Sequence, residues 1–563
     1  MFQNRLHQER LVPSDRPLKS IVLVHPPVYK PCEPPAGVAR LLGFLHAQGI
    51  HGKLLDANAE IILELCTQKG EGFDTWTRRA FRSAQDHLES LRHWGLYREI
   101  SRYKRAIADL GRLLDLAGSP LQVRLTFANY QHRTLSPVRS GDLLQAAEKP
   151  QESPFYPYWA HKFAPVIESQ EPAYVGFSLN FMSQALPAFG MIGYLRRRYP
   201  QIRFIVGGGL VTSWMRNPGW KNPFGGLVDH FVAGRGEEEL LHILGKSSSR
   251  GSNPRLPIYD SLYGQNYLSP GKILPYSASN GCYWNRCRFC PERAEGNPYE
   301  PIVPDQVIAE LGMLALKQKP ILIHFLDNAL SPALMQKMAE HPLGVPWYGF
   351  ARITSHLGQL DFCHALKKSG CVMLQLGLES GDQEVLDRME KGIDVAMASR
   401  VLRNLKRAGI ATYIYLLFGT PPESLTEAQK TLDFVVSHHA CIDFLNLSIF
   451  NLPLYGPESQ GVSTRKFYEG DLSLYTGFSH PREWDRNRVR DFLDKTFRRH
   501  PAIAPILRRE PPVFTSNHAP LLVMAGAGHG SPSGNLSFRM GLAQRKEGKD
   551  HGAPEGMGSD LKQ

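Results

Sequence analysis

Cys282-Tyr283-Trp284-Asn285-Arg286-Cys287-Arg288-Phe289-Cys290 stands behind a predicted strand at 273–278, in a loop opened by Gly281. Three thiolates inside nine residues can converge on one soft metal centre. A four-iron cluster needs one ligand per iron, usually four cysteines. Three local cysteines would leave one iron open to a small molecule. The same spacing also suits a zinc site with a fourth ligand such as His324.

Outward from this loop, candidate strands fall at 273–278, 320–326, 346–351, 371–378, 411–418 and 443–449, with helical spacings between them. Such alternation predicts a parallel sheet in the form of an open barrel or a doubly wound layer. A second α/β run precedes it. Ile21-Val22-Leu23-Val24, Lys53-Leu54-Leu55-Asp56, Tyr174 to Ser178, Arg203 to Val206 and Asp229 to Ala233 all read as strands. Between them, at 71–145, Leu88, Leu91, Ile100, Tyr103, Ile107, Leu110 and Leu114 recur mostly at helical spacing among charges. They predict inserted amphipathic helices.

The expected organisation is therefore 1–245 for the first α/β unit with its helical insertion, 246–270 for a polar linker and 271–460 for the second unit. An accessory region at 461–524 and a disordered Gly- and Ser-rich tail at 525–563 complete it.

Composition narrows the function classes. Apolar residues make 42% of the 563 and charged residues 21%, ordinary globular usage that excludes wholesale disorder. No run of 18 apolar residues predicts a membrane span, and the first residues show no apolar signal core. Eight cysteines in so long a chain make no disulfide scaffold, so a reducing, cytoplasmic protein is expected. The net charge of +12 leaves nucleic acid open as a partner. The arginines at 486, 488, 490, 498 and 499 suit a solvated helix face or an anionic substrate.

The cysteine segment resembles the cluster loop of the radical S-adenosylmethionine (radical SAM) superfamily. Phe289 before the last cysteine matches that loop, while C-x4-C-x2-C departs from the commoner C-x3-C-x2-C and resembles a minority with a CYW-type loop. Leu376-Gly377-Leu378-Glu379-Ser380-Gly381 and Met389-Glu390-Lys391-Gly392 are similar to the family's fourth-strand region. The resemblance implies a [4Fe-4S] cluster on Cys282, Cys287 and Cys290. It implies S-adenosylmethionine (SAM) held by Glu379 through its ribose or amino-acid part, Asp327 through its amine and Arg352 through its carboxylate. Tyr415 to Pro421 resembles the fifth strand and its glycine turn near the adenine. The implied fold of 271–460 is a partial (β/α)6 TIM-like barrel.

The first α/β unit is similar to the cobalamin-binding-type domain often fused before a radical SAM core. Pro26-Pro27, Leu54 to Asn58, Val206 to Gly209 and Gly234-Arg235-Gly236-Glu237 carry that likeness. It implies a Rossmann-like parallel sheet with cobalamin beyond the carboxyl ends of its strands, met by Ser178, Asn180, Gly207, Gly208 and Gly209. The D-x-H-x-x-G segment that supplies an axial histidine in many such domains is absent, as is common in radical SAM members of this type.

The resemblance implies reductive cleavage of SAM and radical chemistry on an unidentified substrate. With cobalamin, methylation follows; without it, rearrangement, cyclisation or thioether formation. An electron donor such as flavodoxin or ferredoxin is implied. Two rival classes are a non-enzymatic iron–sulfur protein for electron transfer or redox sensing, and a zinc-stabilised RNA-binding protein. No catalytic side chain is assigned. Phe444, Asn446, Tyr455 and Trp484 are candidates to line a substrate space.

Overall fold

The structure, a computed structural model, describes residues 20–247, 256–264, 266–465 and 470–529. The expected tail therefore lies almost wholly outside the described residues. Five parallel strands form the first sheet: β1 (Ile21–His25), β2 (Gly52–Asp56), β3 (Tyr174–Ser178), β4 (Arg203–Gly207) and β5 (His230–Phe231). Their order is β2-β1-β3-β4-β5. This is a doubly wound, Rossmann-like sheet whose strand order reverses between β1 and β3, the place where such sheets open a crevice.

Six parallel strands form the second sheet: β6 (Ile273–Tyr276), β7 (Leu322–Leu330), β8 (Trp347–Ala351), β9 (Cys371–Glu379), β10 (Ala411–Phe418) and β11 (Phe444–Ile449). They lie in sequence order, β11 to β6, as a partial (β/α)6 barrel does. Every strand expected from the alternation is present, with ends that differ by a few residues.

The period of two decides which side chains can reach a site. On β9, Leu374, Leu376 and Leu378 pack into one core with Leu386, Val401 and Leu405. Met373 packs into the other core, beside Tyr348, Tyr413 and residues of the first sheet. Gln375, Gly377 and Glu379 alternate onto the Met373 face. The glutamate thus stands at the carboxyl end of the strand on the face away from the Leu374 core.

The segment between β2 and β3 is largely helical, with Ala57–Thr67, Thr75–Ser90, Ile100–Gly118 and Ser140–Glu148 as its longer helices. Asp109 is fully buried there and binds Arg79 (2.6 Å), Trp76 (2.8 Å) and His87 (3.1 Å). In the stretch expected as a polar linker, Tyr259 and Leu262 are buried, and the Tyr259 hydroxyl donates to Pro275 O at 2.5 Å. Hydrophobic side chains there turn a connector into packed structure.

The two sheets are joined by polar contacts as well as by shared cores. Lys30 donates to Thr515 and Asn517 at the start of the helix Thr515–Gly526. His324 lies 2.8 Å from Glu33 and stacks on Tyr348, with ring centroids 4.4 Å apart. Among the described residues no helix is long and apolar enough to cross a membrane.

Candidate active site

The cysteine loop leaves β6 through a short strand, Ser279–Asn280, paired antiparallel with Glu300–Pro301. Asp327, from β7, ties down its base. Its carboxylate accepts from the Ala278 amide at 3.0 Å and from the Ser279 hydroxyl at 2.5 Å. Burial pushes this carboxyl up, and those hydrogen bonds oppose the push. Asp327 is therefore a fastener of the loop. The cap of the following helix is Ser331, which accepts from the Leu334 amide.

The far end of the loop interlocks with the turn 389–392. The Arg288 amide donates to Met389 O at 3.0 Å, and Arg288 and Arg293 both pair with Glu390. Trp284 donates through Nε1 to Glu390 O at 3.0 Å. Its ring lies against Gly392, where a Cβ would come within 2.1 Å of the indole and φ is +64°. Only glycine suits that place.

The Arg352 guanidinium carbon lies 4.3 Å from the centroid of the Trp284 ring, and that of Arg286 lies 5.1 Å from it. One of the Arg352 nitrogens lies 3.9 Å from Cys287 Sγ, and another donates to Lys391 O. Lys391 in turn pairs with Glu379 at 2.7 Å and sits 5.5 Å over the Phe289 ring. Glu379 has φ +67°, a conformation that L residues rarely adopt and that is associated with functional sites. Burial raises the Cys287 thiol, and the charges of Lys391 and Arg352 pull it back. Burial pushes Cys290 up to about 11.

Thus Cys287, Arg352 and Glu379, three of the residues singled out in the sequence, form one connected network, and Asp327 fastens the base of the same loop. Lys391 and Trp284 were not assigned roles from the sequence. The Lys-Gly pair at 391–392 and the tryptophan inside the C-x4-C spacing are the signals that could have found them.

All eight cysteines are free thiols. Among the described residues no three His, Cys, Asp or Glu side chains have the geometry to hold a single metal ion. A tetrahedral zinc with sulfur at about 2.3 Å demands such a tight set. A cluster that takes one thiolate per iron spreads its ligands further, and three cysteines in one loop supply the donor type it needs. His324, the expected fourth zinc ligand, is committed to Glu33 and Tyr348.

Around the crevice of the first sheet, Asn180 joins the ends of β3 and β4. It donates to Ser178 Oγ at 3.2 Å and accepts from the Gly209 amide at 3.0 Å. Gly208 has φ +104°, and a Cβ there would lie 2.4 Å from Leu179 O, so its freedom serves the protein's own packing. At Gly209 a Cβ would meet nothing closer than 3.7 Å, which leaves its backbone open to an approaching group. The Tyr29 and Phe181 rings stack 4.6 Å apart beside it. His25, ending β1, is buried with neither ring nitrogen partnered, and burial lowers it to about 4. The segment after the edge strand β5 touches the base of the cysteine loop. Arg235 pairs with Glu300 at 3.5 Å, on the strand paired with Asn280.

Residues 276–435 match the Radical SAM superfamily. The chain carries a radical SAM domain. Two curated relatives are similar in sequence. An uncharacterized methyltransferase of Pyrococcus horikoshii is 27% identical over 37% of this chain and 49% of its own. The hopanoid C-3 methylase of Methylococcus capsulatus is 22% identical over 55% of this chain and 64% of its own. The chain thus spans about half to two thirds of these relatives. Among solved structures, the cobalamin-dependent SAM radical enzyme OxsB, with aqua-cobalamin and SAM bound, matches with TM-score 0.53 and 13% identity. The match covers 85% of this chain and 67% of that one, and it shows a shared overall fold.

Among the substrate-space candidates, Trp484 belongs elsewhere. It is buried and donates to Glu423 Oε2 at 2.9 Å, bracing the turn after β10. Phe444 stacks on Tyr413 in the core. Asn446 is partly exposed, and Tyr455 is 49% exposed with its hydroxyl donating to Asn217 Oδ1 at 2.6 Å.

Proposed function

We propose that this protein is a radical SAM enzyme that methylates an unidentified substrate with the help of cobalamin. The observation that carries the reading is the cysteine loop at the carboxyl end of the partial barrel. It is locked to Arg352, Lys391 and Glu379 and tied through Glu300 to Arg235, which follows the edge strand β5 of a Rossmann-like sheet. Cys282, Cys287 and Cys290 would hold a [4Fe-4S] cluster, which would supply the electron for reductive SAM chemistry, and cobalamin in the first unit would supply a methyl group.

The chain's own residues do the rest. Asp327 fixes the loop's base, Trp284 and Gly392 fix its far end, and Glu379 with Lys391 presents paired charges toward the amino-acid part of SAM. Ser178, Asn180 and Gly209, with the stacked Tyr29 and Phe181, suit a planar ligand with polar edges in the crevice. A flavodoxin or ferredoxin in the cytoplasm is the reductant this reading calls for.

The test is anaerobic reconstitution of the full chain, followed by iron, sulfide and cobalt analysis and an absorption spectrum. About four irons and four sulfides per chain, with a cobalamin spectrum, support the reading. Zinc without sulfide contradicts the cluster, and cluster without retained cobalamin contradicts the methylation part alone.

A further inference from the structure

Arg352 is 7% exposed and is held on three sides. Its plane lies 4.3 Å over the Trp284 ring, one nitrogen donates to Lys391 O, and another lies 3.9 Å from Cys287 Sγ. Trp284 is itself pinned by Glu390 O and backed by Gly392. The neighbouring cation, Lys391, is neutralised by Glu379. Among the described residues no carboxylate forms an ion pair with Arg352, so its nearest anionic group is the Cys287 sulfur once ionised.

We propose that Arg352, clamped by Trp284, is a positioning residue that holds the Cys287 thiolate and raises the reduction potential of the cluster, and that it is not the ligand of the SAM carboxylate. The proposal rests on the cluster reading above. A guanidinium keeps its charge at any working pH and presents fixed N–H groups. Hydrogen bonds to cluster sulfurs and nearby charge are recognised levers on iron–sulfur potentials. Adding an electron makes the cluster more negative. A fixed buried cation therefore stabilises the reduced state more than the oxidised one, and the potential rises. The clamp gives the tryptophan of the longer C-x4-C spacing a purpose: it supplies the aromatic face that orients the guanidinium.

The experiment is an EPR-monitored redox titration of the reconstituted full chain without SAM, beside equilibrium SAM binding. Arg352→Gln is expected to move the midpoint to more negative potential. Arg352→Lys, which keeps the charge but loses the planar fork, moves it less. Trp284→Ala, which frees the guanidinium, moves it in the same direction. If Arg352→Gln fails to retain iron, the other two variants carry the comparison. An unchanged midpoint in the variants that hold the cluster, with SAM affinity reduced tenfold or more, overturns the proposal and returns Arg352 to the SAM carboxylate. A wild-type protein that assembles no four-iron cluster removes the functional reading itself, a different failure seen before any variant is compared.

Discussion

The Lys391 ammonium lies 2.7 Å from the Glu379 carboxylate, with both side chains nearly buried beside the cysteine loop. A pair withdrawn from water is costly to break from one side, because the remaining charge has no partner. Lys391→Met is therefore expected to destabilise the chain by about 3 kcal/mol. Adding Glu379→Gln should recover about 1 kcal/mol or more, since contacting residues couple. Denaturant midpoints of the two single variants and the double variant check this. Strict additivity would show that the pair does not couple.

Gly392→Ala tests the lock between the turn and the loop. A left-handed φ costs an L residue roughly 1–2 kcal/mol, and the new methyl collides with the Trp284 ring at 2.1 Å. The variant should lose about 2–4 kcal/mol of stability in all, with overpacking included. It should also retain less iron per chain than wild type after identical reconstitution. Equal iron content would mean that the loop holds its shape without this contact.

Asp327→Ala leaves the Ala278 amide and the Ser279 hydroxyl without their acceptor. Each orphaned buried donor costs about 1–3 kcal/mol. The expected result is a lower unfolding midpoint and reduced iron retention. Asp327→Asn keeps one acceptor oxygen and should fall between wild type and alanine. If asparagine and alanine behave alike, the hydrogen bonds are not what fastens the loop.

Glu423 is buried at the turn after β10, and burial pushes its carboxyl up to about 8. The unfolded chain ionises this group in the ordinary carboxylate range, so between that range and about 8 the unfolded state binds fewer protons. Its contribution to stability is full below the unfolded value and is lost as pH rises through about 8. Glu423→Gln, which cannot ionise, should flatten the fall in thermal midpoint between pH ~5 and ~8. Parallel slopes for wild type and variant would show that the carboxyl is ionised in the fold.

Much of this architecture was legible in the sequence because parallel strands buried on both faces read as short apolar runs. Ile21 to Val24 and Tyr174 to Ser178 announce themselves this way, and so do all six strands of the second sheet. The cysteine spacing likewise marked its loop. The pairings were not legible, because they depend on which side chains distant turns bring together. Asp327 looked like a ligand for an ammonium, and its bonds to Ala278 and Ser279 could not be read from the sequence. Arg352 looked free for a carboxylate and is held under Trp284. Trp484 looked like a substrate contact, yet its indole braces Glu423 across 61 positions of sequence. Gly208 looked like room for a nucleotide tail, and Leu179 fills that room.

The most direct test of the central claim is 5′-deoxyadenosine formation. Reconstituted wild-type protein is mixed anaerobically with SAM and dithionite, beside Cys287→Ala prepared identically. The account predicts that wild type releases 5′-deoxyadenosine and that the variant falls to the level of protein-free controls. Intact SAM in the presence of iron-loaded wild type, or equal product from Cys287→Ala, would contradict it.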